Sequence, residues 1–564
     1  MELDEAIEKY ALDNAVKYNG KANPGAVIGH VISAFPEVKS DMKALAKRVN
    51  DKIKEINKLG LGKQKKLMEE KYPEMLEKKE KEEKDIFAFL GIKDGDKIIT
   101  AFPPGPEKYP HIGHAKALFL NYLLAKKYGG KFYLRFEDTN PELVKKEFYD
   151  IMLENFKWLG VEWDKLQYAS DNMSLFYEMA DKVIKSGDAY MCDCPVDVSR
   201  DNRAKGIGCK CRDKTVKQNL EEWKKLPKAK AESAVLRLKI DMQHQNTTMR
   251  DPTIFRIIDA PHARLGTKYK VWPNYDFQNA IMDGYYGLTH RLRTKEFEMR
   301  SELQRYIQKL LGLQITTTYE FARFNLVGVP SSGRIIREMI AKKELIGWDD
   351  PSLATIVALR RRGFMPEAIK NFVISTGITK TEATMSWDDL IVHNRRILDN
   401  KADRYFFITE PIKIKIKNAP EQEIELDLHP EFRKGGRKLK TKDEFYIAKI
   451  DYDILMKGKK GELYRLMDCL NFVMKSKEFV FDSKEYVKYK DKGKRIMHFL
   501  PAQDDLGGLV NVEVFMPDKK TIKGLGEPLM KKLKEGDIIQ AERFGFMRLD
   551  KKEKDKLYFW YSHQ

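Results

Sequence analysis

The segment Pro110-His111-Ile112-Gly113-His114 sets two imidazoles three residues apart, just after the stiff run Pro103-Pro104-Gly105-Pro106. If a helix opens at residue 112, positions 111 and 114 share its first turn and one face, so both rings can touch one phosphate. That turn also offers free backbone N–H groups and the positive end of the helix dipole, which suit an anion. Gly113 leaves room for a flat base against the backbone. Such a set could stabilise a pentavalent α-phosphate while pyrophosphate leaves. On its own, His-x-x-His also arises by chance or serves as a metal pair. The setting after a strand and Pro-Pro-x-Pro favours the phosphate reading.

A second set is Cys192, Cys194, Cys209 and Cys211, spaced C-x-C, fourteen residues, C-x-C. Four thiolates from two tight turns suit a closed tetrahedral zinc site. An iron–sulfur cluster and disulfides are the alternatives, and a cytosolic chain argues against disulfides. The surroundings, Arg200, Arg203, Lys205, Lys210, Arg212 and Lys214, are basic and would suit a polyanion. Cys469 stands alone and reads as a buried apolar side chain.

The elements that must position these groups follow from periodicity. Residues 97–102 read as a buried strand, 112–128 as a helix with Ala115, Leu118, Phe119, Tyr122 and Leu123 on one face, and 131–138 as a strand. Strand, helix, strand is the unit of a parallel sheet. A second run places a helix at 275–286, a strand at 287–293, a helix at 295–311 and a strand at 319–326. The two runs would form one nucleotide-binding sheet split by an insertion. Residues 1 to about 90 read as helical, with Leu3, Ile7 and Ala11 at helical spacing, and 42–85 is dense in Lys and Glu. Beyond about 404, short alternating strands such as Ile412-Lys413-Ile414-Lys415-Ile416 suggest antiparallel barrels.

The chain has 564 residues and a formal charge of +19, from 104 Lys+Arg against 85 Asp+Glu. That excess points to a polyanionic partner, nucleic acid first and an anionic membrane second. No stretch approaches the ~18 apolar residues of a membrane span. The start, MELDEAIEKY, lacks the basic-then-apolar pattern of a signal peptide. The expected location is the cytoplasm.

The stretch AFPPGPEKYPHIGHAKALFLNYLLAKKYGGKFYLRFEDTNPE resembles the signature region of the class I glutamyl- and glutaminyl-tRNA synthetases. The likeness continues through WPNYDFQNAIMDGYYGLTHRLRTKEF, GWDDPSLATIVALRRRGF and HNRRILDNKADRYFF, covering roughly 97–410 in order. The helical start and barrel-like tail are similar to the archaeal and eukaryotic branch. The resemblance implies an α/β fold with a Rossmann-like catalytic domain in two halves, 93–189 and 269–330, split by a zinc-bearing acceptor-binding insertion at 190–268. A helical region at 1–92, a signature loop and stem-contact region at 331–403, and an anticodon-binding β-barrel region at 404–564 complete it.

The activity implied is ATP-dependent activation of glutamate with Mg2+, then transfer to tRNA-Glu, and to tRNA-Gln if the enzyme does not discriminate. By the same resemblance His111 and His114 are catalytic, and Arg334 is assigned to the catalytic set with them. Pro104, Gly113 and Ser332 join them around ATP, and Arg334 holds the triphosphate. Phe102, Glu137, Asp138, Thr139, Tyr275, Asn279 and Arg293 surround the amino acid, with Asn140 nearby. Arg293 favours glutamate over glutamine, because a γ-carboxylate needs a cation and an amide does not.

Two departures from the family stand out. Ala101 replaces an arginine usual at the end of the first strand, a loss worth about 1.5–3 kcal/mol where a guanidinium pairs with a carboxylate. The late loop, usually near Lys-Met-Ser-Lys-Ser, reads Gly328-Val329-Pro330-Ser331-Ser332-Gly333-Arg334, with Gly333 where a lysine is usual. Arg360-Arg361-Arg362 reads as a phosphate contact, and Tyr446, Tyr464, Tyr486 and Phe559 as aromatics beside the anticodon. The rival readings are a glutaminyl enzyme, a tRNA-binding paralogue without catalysis, and a small nucleotidyltransferase.

Overall fold

The computed structural model describes residues 2–564 apart from Asn19, Pro73, Glu74, residues 76–84, Ser331, residues 476–477 and residues 503–507. Part of the Lys/Glu-rich stretch 42–85 and Ser331 of the late loop therefore lie outside the described residues. The chain divides into two units, Met1–Leu90 and Gly91–Gln564. Among the described residues no helix is long and apolar enough to cross a membrane.

The first unit contains α1 (Leu3–Lys17), α2 (Pro24–Ala34), α3 (Met42–Leu59) and α4 (Leu61–Lys71). Asn23 caps α2 by accepting from the Gly25 and Ala26 N–H groups, and Pro24 fits the first turn, where its missing N–H costs nothing. Ile7, Ala11, Leu12, Val27, Val31, Val49 and Ile53 form the shared core.

In the second unit, β1 (Ile99–Phe102), α5 (Ile112–Lys127), β2 (Lys131–Phe136) and β3 (Lys165–Tyr168) make a parallel three-stranded sheet with its crossover helix. An insertion then forms an antiparallel sheet of β4 (Ala189–Cys192), β5 (Val235–Leu238), β6 (Thr253–Ile257) and β7 (Val271–Pro273). It packs around the fully buried Trp272 and Phe255. The parallel pattern resumes with β8 (His290–Thr294) and β9 (Thr317–Phe321).

The two parallel pieces meet at Thr289. Its N–H donates to the Ile99 carbonyl at 3.0 Å, and the Ile99 N–H donates to its hydroxyl at 2.9 Å. Further along, the Asn121 side chain from α5 bonds both the N–H and the carbonyl of Leu292, at 3.0 and 2.7 Å. The amide thus replaces a strand partner where β1 and β8 part. In open α/β sheets ligands bind at such a crevice, at the carboxyl ends of the strands.

The expected strand at 319–326 is two strands. β9 stops at Phe321, and β10 (Phe324–Leu326) pairs in parallel with β11 (Ala383–Met385). Ala322 is pinned between them by the buried Lys116 ammonium, which donates to its carbonyl at 3.2 Å.

Among the described residues the tail forms two seven-stranded sheets and a two-stranded one, Gln422–His429 with Arg433–Thr441. Both seven-stranded sheets are mixed rather than antiparallel: Val510–Phe515 runs parallel to Lys556–His563, and Leu463–Leu466 runs parallel to Gly493–Met497. Tyr464 and Phe559 are buried core residues, so of the four expected aromatics only Tyr486 is well exposed, with Tyr446 half-buried.

The arginine triplet is not a free cationic patch. Arg360 pairs with Glu154 at 2.7 Å, and Arg361 bonds Asp349 and, in a fork, both oxygens of Asp550. Arg362 is buried and donates to the carbonyls of Pro351 and Ser562. Arg361 and Arg362 fasten the helix Ile356–Arg362 to the C-terminal sheet.

Candidate active site

The α5 N-terminus is capped by its own histidines. The Gly113 N–H donates to His111 Nδ1, and the His111 N–H donates to His114 Nδ1, both at 3.1 Å. A ring nitrogen that accepts cannot carry the proton, so each imidazole holds its hydrogen on Nε2. The rings lie 3.9 Å apart between centroids. Burial, with Lys108 nearby, lowers the pKa of His111 to about 3. Burial, His111 and Lys108 push His114 well below the usual value as well. Both rings are therefore neutral donors at physiological pH. A Cβ at Gly113 would sit 2.9 Å from His111 Cε1, so this glycine first makes room for the capping imidazole rather than for a base.

The histidines open onto a cleft of about 910 Å³. Phe102, Pro104, His111, Gly113, His114, Glu137, Thr139, Asn140, Tyr275, Arg293 and Ser332 line it, as the sequence predicts. Three expected residues do not. Asp138 is buried behind the wall, accepting from the Ser170 N–H and hydroxyl at 2.7 Å each and from Tyr149 at 2.8 Å. Asn279 is also behind it, bonded to Arg291 and Arg135. Arg334 points away from the cleft with its side chain 81% exposed, nearest Glu338 at 3.9 Å. Ala101 is fully buried against Ile99, Leu288, Tyr133 and Tyr286, so the position where an arginine is usual does not face the cleft.

Sequence reasoning missed five cations that also line the cleft: Lys108, Arg256, Arg291, Arg300 and Arg323. Arg291 could have been found, because it is two residues from Arg293 on the same strand, and alternate strand residues share a face.

Behind the wall a charged network sets the potential. Asp283 accepts from Arg135 at 2.6 Å and from Arg291 at 2.7 Å. Burial alone would raise its carboxyl, but Arg291 and Arg135 hold it below the usual range. Arg135 also bonds Glu137 at 3.1 Å. Burial outweighs Arg135 and Arg291 at Glu137 and pushes its pKa up to about 7. Arg293 donates to Gln304 at 2.8 Å and to Ser301, with Glu320 3.9 Å away.

Among the described residues, four buried polar atoms of cleft residues have no hydrogen-bond partner: the Nε of Arg291, the Nε of Arg293, the Nε2 of Gln278 and the Oε2 of Glu137. Buried polar groups are normally satisfied, so this set calls for a ligand. Three donors and one acceptor suit a molecule rich in carboxylate oxygen that also carries an ammonium.

The cysteines converge in the insertion. All four Sγ atoms lie within 4.8 Å of one another, with Cys192 to Cys209 at 4.0 Å and Cys194 to Cys211 at 3.7 Å. Zn–S bonds of about 2.3 Å in a tetrahedron give S–S edges of about 3.8 Å, so the donor set fits zinc. Part of the surrounding basic charge is structural, since Arg212 bonds Asp251 and Arg203 bonds the Arg250 and Thr247 carbonyls. Cys469 is buried, its thiol pushed up to about 12 chiefly by burial.

Residues 97–400 match the family model described as tRNA synthetases class I (E and Q), catalytic domain. Residues 402–492 and 496–550 match two models described as the anti-codon binding domain of the same synthetases. The chain is 40% identical to the glutamate–tRNA ligase of Pyrococcus furiosus over 582 aligned residues, covering 100% of both chains. It is 40% identical to that of Pyrococcus abyssi over 581 residues and 38% to that of Methanocaldococcus jannaschii over 568, again with 100% of each chain covered. With two histidines capping the helix at the sheet's crevice and all three models matched in order, the chain belongs to the class I (E and Q) tRNA synthetases.

Proposed function

We propose that this chain is a glutamate–tRNA ligase. A carboxylate oxygen of glutamate attacks the α-phosphorus of ATP and the bond to pyrophosphate breaks. The terminal ribose hydroxyl of tRNA-Glu then attacks the carbonyl of the adenylate, and AMP leaves. The observation that carries the choice of amino acid is the cationic end of the cleft. Arg291 and Arg293 both line it, and among the described residues neither Nε has a hydrogen-bond partner, Arg293 Nε having only the Glu320 carboxylate 3.9 Å away; Asp283 neutralises only part of the Arg135–Arg291 charge. A γ-carboxylate satisfies those donors, and an amide satisfies fewer. Charging purified tRNA-Glu and tRNA-Gln with each amino acid tests this. Glutamate on tRNA-Glu supports the reading, and glutamine on tRNA-Gln alone overturns it.

His111 and His114 donate from Nε2 to the α-phosphate in this reading. Phe102, Pro104, Gly113 and Ser332 shape the ATP and amino-acid ends, with Thr139 and Tyr275 against the substrate. Mg2+ arrives on the ATP phosphates, where this ion usually binds.

Glu137 is read as the acceptor for the substrate ammonium. It is protonated below pH 7 and anionic above, so kcat/KM for glutamate should fall with pH below about 7, approaching tenfold per unit. A pH profile of glutamate-dependent exchange checks this. Glu137→Gln should flatten it, and an unchanged acid limb in that variant would refute the role.

The cysteine cluster is read as structural zinc that pins the two C-x-C turns in an acceptor-binding insertion. Metal analysis should find about one zinc per chain in the native protein and far less in Cys211→Ser, because a four-thiolate site loses a charged ligand. Iron instead of zinc would overturn the assignment. The tail sheets are read as barrels: Asp403–Tyr405 and Phe407–Thr409, which border opposite ends of one sheet, are consecutive stretches of chain and so can close it. A role in translation supports a cytoplasmic location in this reading.

A further inference from the structure

Pyrophosphate gathers negative charge as it departs, so a cation is needed where the β- and γ-phosphates lie. The late loop, where the family usually supplies a lysine, has Gly333, and the adjacent Arg334 points away from the cleft. The space beside Gly333 is already filled. A Cβ there would lie 2.9 Å from Cδ of Lys108 and 3.6 Å from its Cβ. Lys108 comes from the segment just before His111, and its stem runs through the volume a side chain at 333 would need.

Three observations direct its ammonium at a ligand. Lys108 lines the cleft together with His111, Ser332 and Gly333. Among the described residues it has no ion pair or hydrogen bond, whereas its cationic neighbours are engaged: Arg323 with Glu296 at 2.5 Å, Arg300 with Asp276 at 2.8 Å, and Arg337 with the Glu107 carbonyl at 3.4 Å. The helix Gly333–Ala341 begins beside it, and among the described residues no side chain caps its first N–H groups, which with the positive dipole end can receive an anion. Burial lowers the Lys108 pKa, with Glu107 opposing and Arg337 adding to the effect, so an arriving anion favours its charged form.

We propose that Lys108 is the triphosphate-binding cation of this chain, supplied from the signature segment in place of a loop lysine at position 333. This rests on the ligase reading. The two residues are complementary: the glycine exists because the lysine occupies its side-chain space.

The test compares wild type, Lys108→Met, Lys108→Arg and the double variant Lys108→Gly/Gly333→Lys, by titration with ATP and AMP and by glutamate-dependent ATP–pyrophosphate exchange with tRNA present. Lys108→Met should weaken ATP binding at least about tenfold and leave AMP within about twofold, because a lost charged hydrogen bond to the outer phosphates costs at least that much. Exchange kcat should fall on the order of 10²-fold with the glutamate KM nearly unchanged. Lys108→Arg should keep most of the activity, and the double variant should recover at least about tenfold over Lys108→Met. Equal weakening of ATP and AMP, or an exchange rate in Lys108→Met within about threefold of wild type, would overturn the proposal. A wild-type chain that binds ATP through Lys108 yet performs no exchange with any amino acid would sink the ligase reading and leave Lys108 in place.

Discussion

Replacing His114 by alanine is expected to lower the kcat of glutamate-dependent ATP–pyrophosphate exchange by on the order of 10²–10³-fold, or about 2.7–4 kcal/mol, the usual cost of one preorganised donor to a transition-state oxyanion. The rings qualify as such donors because each accepts a backbone N–H at Nδ1 and so must present Nε2–H to the cleft. His111→Asn is the cleaner partner variant. Asparagine keeps the cap on the Gly113 N–H while removing the Nε2 donor, so helix stability, worth about 0.5–2 kcal/mol at a lost cap, is largely preserved. Affinity for tRNA should be unchanged in both, since neither substitution alters charge at neutral pH. The low pKa values carry a sign for stability. The fold holds neutral imidazole, so the contribution from His111 is complete above its ordinary value of 6.5 and drains away as pH falls toward 3. Both donors therefore stay neutral at physiological pH and put no acid limb of their own on the exchange rate there. Full exchange in either variant would remove them from the chemistry.

Asp283→Ala is expected to destabilise the protein by about 3–5 kcal/mol, the cost of stripping the partner from a buried charge. Here two guanidiniums are stranded, because Asp283 bonds both Arg135 and Arg291, and all three side chains are at most 2% exposed. The comparison variant is Glu154→Ala, which breaks the exposed pair with Arg360 and should cost no more than about 1 kcal/mol. Denaturant unfolding of the two variants against wild type measures the contrast. Indistinguishable midpoints would mean that the network behind the cleft is not the electrostatic anchor described above.

The helix that carries the histidines was legible in the sequence because every level agreed: an apolar strand, proline punctuation, a helical face and a glycine stop. The cysteine cluster was legible from spacing alone. Features set by distant partners were not. Tyr319 to Leu326 contains no Gly or Pro, so nothing local marks the break at Ala322, which is fixed by an ammonium from residue 116. The arginine triplet looked like a phosphate contact because its partners Asp550 and Ser562 lie about two hundred residues away in sequence. Arg334 is the nearest cation to Gly333 along the chain, while the side chain packed closest to it in space is Lys108, more than two hundred residues away in sequence. The mixed tail sheets escaped notice because alternation reports a half-buried strand and not the direction of its neighbour.

In the proposed reaction, two neutral imidazoles and an arginine-lined recess together activate glutamate. ATP–pyrophosphate exchange with tRNA present, run with glutamate, with glutamine and with neither, tests it most directly. The expected result is exchange that depends on glutamate, with kcat/KM about 10–100-fold above that for glutamine, as the loss of one charged hydrogen bond implies. Equal rates with the two amino acids, or a preference for glutamine, would contradict the account.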